Sequence, residues 1–194
     1  MTEDPAGRIN NLSDGELLSR LHSGEISSLE TLYDRYGGYV HALALRVLGS
    51  VEEAEEVVQD VFWQLWKTKI HYDPAQSRFS TWLFVITRNR SLDRLRSKRR
   101  RPSTEPLPVD SSGPPAADDP EESAFIAERR RHVLTALGQL PSAQRQALEL
   151  SFYQGMTHRE IAERLGEPLG TVKSRIKMAM DKLKLSLRGV GSTS

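Results

Sequence analysis

The chain has 194 residues, enough for one ordinary domain or two small ones. Apolar residues make up 38% and charged residues 27%, the balance of a soluble globular protein, and no apolar run approaches the roughly 18–20 residues of a membrane span. Cysteine is absent and the formal net charge is +1; this excludes disulfides and thiolate metal sites, suits a cytoplasmic chain, and leaves nucleic-acid binding to depend on how charge is distributed.

The start, MTEDPAGRINNLSDGE, has neither the basic nor the apolar part of a secretory signal. Ser13-Asp14-Gly15-Glu16 has the spacing of a capping box, and Leu17, Leu18 and Leu21 follow it, predicting a first helix. A second helix is expected from Ser27 or Ser28. It places Leu29, Leu32, Tyr33, Tyr36, Val40, Leu43, Ala44, Val47 and Leu48 on one side, with Gly37-Gly38 as a possible bend. Ser50-Val51-Glu52-Glu53 repeats the capping signal, and Ala54, Val57, Val58, Val61, Phe62, Leu65 and Trp66 continue at helical spacing as a buried stripe. A loop at 68–78 leads to a long helix over about 80–100, in which Trp82, Leu83, Ile86 and Leu95 are expected in the core. For Trp82, core packing is favoured over base stacking, because large aromatic rings mostly bury.

Charge is sorted along this last helix. Residues 88–101 carry eight Lys and Arg against one acid, Asp93, whereas residues 102–128 carry no Lys or Arg. Six of the ten prolines fall in 102–120. Such a segment lacks the apolar surface to order itself, so 102–120 is expected to be a flexible linker between domains at 10–101 and 121–188. The second domain reads as helices at about 121–138, 142–153, 158–165 and 172–187, with a frayed tail at Gly189–Ser194. No segment alternates like a strand, so the expected class is all-α: two small helical domains, the C-terminal one a helix-turn-helix.

That motif is the strongest signal. Thr157 and Glu160 have capping-box spacing; Ile161, Ala162 and Leu165 form a buried stripe; Ala162 permits a close crossing. Gly166 can take the left-handed conformation of a tight turn, and Pro168 with Gly170 stops the first helix. Thr171 is expected to cap the second helix, with Val172, Ile176, Ala179 and Leu183 on its buried side. Lys173, Ser174, Arg175 and Lys177, with Thr171, then lie near its N-terminal half. Helices of this type enter the major groove, where Arg reads guanine edges and Lys or Ser meets phosphates or bases. An ordinary helical hairpin accounts for each residue singly, but not for the joint occurrence of caps, turn glycine, small residue and basic face. His158 and Glu160 are assigned to surface and capping roles, because neither Cys nor a second His is near. No metal or other cofactor is expected.

Three stretches, VEEAEEVVQDVFWQLWK (51–67), FSTWLFVITRNRSLDRLRSKRRR (79–101) and ELSFYQGMTHREIAERLGEPLGTVKSRIKMAMDKL (149–183), strongly resemble bacterial sigma factors of the sigma-70 family, and the two-domain layout resembles the extracytoplasmic-function (ECF) group. The resemblance implies a region 2-like domain that docks on core RNA polymerase and captures the −10 element of promoter DNA. It also implies a region 4-like domain that reads the −35 element, and a linker that threads through the polymerase. It places Gln59 and Asp60 at the polymerase-docking positions; a plain solvated face is the alternative, against which an exposed Trp63 argues. It places Asn89, Arg90, Asp93, Arg94 and Lys98 on the −10 element. The loop at 71–80 (His71, Tyr72, Asp73, Ser77, Arg78, Phe79, Ser80) becomes the expected pocket for a flipped base. Lys98–Arg101 either track phosphate or form a solvated helix end. Met178 stands where some relatives carry a basic residue, so no promoter consensus is transferred. An anti-sigma partner is implied by the group alone.

Two other classes fit the sequence less well. A two-domain regulator with a sensor or dimerisation half needs neither the docking helix nor the Arg/Asn-rich helix. An enzyme acting on nucleic acid needs converging carboxylates, whereas Glu52, Glu53, Glu55 and Glu56 spread around their helix. A non-enzymatic specificity subunit of RNA polymerase is the expected function.

Overall fold

The computed structural model describes residues 12–67, 72–75, 77–100 and 131–187, with the side chains of 99 and 100 excepted. The linker at 102–120, the first part of the helix expected at 121–138, the tail at 189–194, His71 and the side chains of Arg99–Arg101 lie outside these residues. Among them every regular element is a helix, and no helix is long and apolar enough to cross a membrane. The chain divides into two compact units, Met1–Ala116 and Ala117–Ser194.

In the first unit, α1 (Asp14–His22) starts on a complete capping box: the Ser13 hydroxyl accepts the Glu16 N–H at 3.4 Å, and the Glu16 carboxylate accepts the Ser13 N–H at 2.9 Å. α2 (Ser27–Leu48) continues through Gly37-Gly38 and ends at Gly49, whose φ of 70° closes the last turn. Gly37 is buried, and a β-carbon there would lie 3.4 Å from the Tyr33 ring, at about van der Waals contact. α3 (Val51–Lys67) and α4 (Phe79–Arg100) complete the unit. α2 is central, packed by α1, α3 and α4. Leu32, Val40, Ala44 and Leu48 of α2 meet a core that includes Leu17, Val57, Val61, Leu65 and Leu83. Each buried Leu or Val among them contributes about 1.5–3 kcal/mol.

Several expectations need correction. Trp66 is not part of the buried stripe: it is 43% exposed, its ring edge-on to Trp63 at 5.0 Å. The stripe is completed by Leu65, so the helix turns Trp66 outward. At Ser50, the hydroxyl does accept the Glu53 N–H at 3.3 Å, but it donates to Glu52, while the Glu53 carboxylate turns to Lys98. Tyr33 is 52% exposed, with its edge against Phe62. Trp82 and Ile86 are only half-buried. Phe79 is a core residue 2% exposed at the first position of α4, and not a pocket residue. Its ring is enclosed by Tyr36, Tyr72 and Trp82. Thr87 and Ser91 are also buried, which no apolar pattern announces. Their hydroxyls donate back to the carbonyls of Leu83 and Thr87, each at 2.8 Å, so neither is left unsatisfied.

The second unit begins, among the described residues, with α5 over 131–138, followed by α6 (Ser142–Phe152), α7 (His158–Leu165) and α8 (Leu169–Leu187). Leu150, Ile161, Ala162 and Val172 form its core, with Met156, Leu165 and Ile176 packed against it. Leu183 is half-buried rather than enclosed.

Candidate nucleic-acid interface and docking face

α7 opens on the Thr157/Glu160 capping box: the Thr157 hydroxyl accepts the Glu160 N–H at 3.3 Å, and the Glu160 carboxylate takes the Thr157 N–H at 2.6 Å and its hydroxyl at 2.8 Å. That carboxylate is therefore committed to the cap. Gly166 closes α7 with φ 64°, and its N–H reaches the Ala162 and Glu163 carbonyls. The second helix starts earlier than expected. The Pro168 carbonyl accepts the N–H groups of Thr171 and Val172 at 3.0 and 3.2 Å, so α8 begins at Leu169 and Thr171 lies in its first turn instead of capping it. Pro168 sits one residue ahead of this helix, where its missing N–H breaks no intrahelical bond.

This start sorts the residues expected to face the −35 element. Lys173 and Lys177, one turn apart, are exposed, with Ser174 beside them; the Ser174 hydroxyl donates to the Thr171 carbonyl at 2.9 Å. Thr171 is half-buried. Arg175 is half-buried too and gives its guanidinium to Glu167, in the turn, at 3.0 Å. Met178 is 44% exposed, its sulfur 3.9 Å from the buried Gln144 amide.

In the first unit, three bases of α4 meet the α3 helix in antiparallel order. Arg90 pairs with Asp60 at 3.8 Å and donates to the Gln64 side chain. Arg94 pairs with Glu56, and Lys98 with Glu53 at 3.3 Å. The residues expected on the −10 element thus fall into two rows. Arg90, Arg94 and Lys98 lean on carboxylates of α3; Asn89 and Asp93 are exposed, Asp93 with Arg96 at 3.5 Å. Gln59, Asp60 and Trp63 are all exposed on α3, and Lys67 lies over the Trp63 ring at 5.7 Å. The structure therefore joins Asp60, expected at the docking face, to Arg90, expected on the −10 element. Sequence reasoning missed Glu53, Glu56, Gln64 and Glu167 as partners. Acids at helical spacing on α3 and bases at i, i+4, i+8 on α4 were the available signal, but which pairs form depends on the antiparallel packing.

Ahead of α4, the Tyr72 hydroxyl donates to the Ser77 carbonyl at 2.9 Å, and Asp73 accepts the Ala75 N–H at 2.9 Å. Burial, then the charges of Asp14 and Asp73, push the Tyr72 phenol above its ordinary value, favouring its neutral form.

Residues 32–101 match the family model Sigma-70 region 2, and residues 130–183 match Sigma-70, region 4. An ECF RNA polymerase sigma factor SigK of Mycobacterium sp. (strain KMS) is 32% identical over 168 residues, 87% of this chain and 87% of that protein. The ECF RNA polymerase sigma factor RpoE of Cereibacter sphaeroides is 35% identical over 165 residues, 85% of this chain and 88% of that protein. Among solved structures, Rhodobacter sphaeroides SigE in complex with the anti-sigma ChrR is 30% identical, covering 89% of this chain and 97% of that one with a TM-score of 0.46.

Proposed function

The chain belongs to the sigma-70 family, among the ECF RNA polymerase sigma factors, and from that premise we propose how its residues divide the work. It directs RNA polymerase to specific promoters, recognises −10 and −35 elements and promotes DNA melting at initiation. The observation that carries this is the presence of both matched regions, 32–101 and 130–183, on one chain.

We assign polymerase docking and the −10 element to 10–101, the connection to 102–120, and the −35 element to 121–188. Lys173, Ser174 and Lys177 meet the −35 duplex with Thr171 at their flank, and Arg175 reads a base edge while Glu167 orients it. Asn89, Arg90, Asp93, Arg94 and Lys98 form the −10 face. Gln59, Asp60 and Trp63 dock on core polymerase, an acidic and aromatic face suited to a basic partner. That face also suits an anti-sigma factor, the kind of partner in the SigE complex. The role is non-enzymatic, needs no cofactor and is exercised in the cytoplasm.

Transcription in vitro with core polymerase on a genomic promoter library is the direct test. Specific initiation is expected, and folded protein that gives none overturns the assignment. Asp60→Lys separates the two halves: core binding falls, while binding of the full chain to a −35 duplex is unchanged.

A further inference from the structure

α1 precedes the segment matched by the region 2 model, which begins at residue 32, so that match gives it no task. Its bonds lead elsewhere. Asp14, the first residue of α1, accepts the Tyr36 phenol at 2.7 Å and an Arg35 N–H at 3.1 Å. Arg35 also donates to the Leu12 carbonyl at 2.9 Å, fixing the chain entering the helix. The Arg35–Asp14 pair is largely shielded, with side chains 13% and 26% exposed, where a charge-assisted bond holds geometry better than at an open surface.

Tyr36 is thereby locked at its far end, and its ring meets Phe79 edge-on, centroids 5.5 Å apart. Phe79 in turn touches Tyr72 and Trp82, each at 5.7 Å, and those two rings lie 5.9 Å apart. Phe79 is buried, whereas Tyr72 and Trp82 are half-exposed. A rigid connection therefore runs from the first turn of α1 to two aromatic rings at the entry of the −10 helix. Half-exposed rings backed by a buried one form a stacking surface, and stacking on aromatic side chains holds unpaired bases irrespective of their identity.

We propose that α1 is a positioning element for base capture: Asp14, acting through Tyr36 and Phe79, holds Tyr72 and Trp82 in the arrangement that receives an unstacked nucleobase of single-stranded promoter DNA. This rests on reading Tyr72 and Trp82, on either side of the start of α4, as the capture site. Asp14 touches no DNA itself and acts only through the rings.

The test uses holoenzyme, full chain with core polymerase, and non-template −10 oligonucleotides in which one position at a time is abasic. For the unaltered protein one position is expected to cost roughly tenfold in affinity, the loss of one stacked base. Tyr36→Phe keeps the ring and frees it from Asp14; Asp14→Asn keeps the shape and removes the charge. Both are expected to shrink that cost to within about twofold, with core affinity unchanged. Arg20→Ala, on the same helix and outside the connection, leaves it intact. A merely destabilised protein binds every oligonucleotide more weakly in equal proportion and keeps the tenfold step, so a retained step in Tyr36→Phe and Asp14→Asn overturns the inference. Absence of any abasic step in the unaltered protein overturns the capture site itself, and the inference falls with it.

Discussion

The two helical units each carry a row of Lys and Arg, and they use those charges in opposite ways. On α4, Arg90, Arg94 and Lys98 each face a carboxylate of α3. On α8, Lys173 and Lys177 are exposed and make no ion pair among the described residues, whereas Arg175 has Glu167 beside it. Counting basic residues therefore overstates the charge that the first unit offers to DNA. An unpaired lysine contributes its full share of counterion release on meeting phosphate, whereas a paired arginine must first exchange one partner for another.

The largest effect is expected where the charge is uncompensated. Lys173→Ala with Lys177→Ala should lower affinity for a −35 duplex more than tenfold and reduce the salt slope of log K by roughly 0.9 per lysine removed. Fluorescence anisotropy over a salt series measures both, and an unchanged slope would take this row off the DNA. The turn that presents the row comes next. Gly166 has φ +64° with open space around it, so Gly166→Ala costs only backbone strain, about 1 kcal/mol of stability in chemical denaturation. Gly170 also has open space but lies in the first turn of α8, so Gly170→Ala should stabilise, by up to about 1 kcal/mol. Equal signs for the two would mean that the turn is not held as described.

In the first unit, Glu56→Gln removes the partner of Arg94 and should raise binding of single-stranded −10 DNA about two- to threefold, in line with the small worth of half-exposed ion pairs. Glu55→Gln changes net charge identically but makes no ion pair among the described residues; if it raises binding as much, the pairing is irrelevant and general charge is the cause. The smallest effect is on α1. Ser13 hydrogen bonds hold the Glu16 carboxyl below its ordinary value of 4.5. A lowered folded pKa gives stability that is complete above the ordinary carboxylate range and is lost as pH falls through the lowered value. Amide exchange should show the first turn of α1 loosening over that acid window, and Glu16→Gln should abolish the step.

Much of this is legible in the sequence. Capping boxes at Ser13 and Thr157, the left-handed Gly166 and the apolar periodicity of α3 depend on neighbours within one turn, so local sequence carries them. The same locality explains the errors. Thr171 resembles a cap, but Pro168 provides an earlier start, and local signals do not rank two competing starts. Phe79 reads as a loop residue because the rings that enclose it come from Tyr36, 43 positions earlier, and from Tyr72 and Trp82. Trp66 fits the helical stripe, yet the core is filled without it.

By itself the sequence determined the all-helical class, the helix-turn-helix and the family, because hydrophobic period, caps and turn residues act over a few positions and motifs are written in order. Only the tertiary structure decided which charges remain available. Antiparallel packing of α4 against α3 brings Arg90, Arg94 and Lys98 to acids 30 to 45 residues away in the chain, and no local pattern specifies a pairing that depends on where two helices cross.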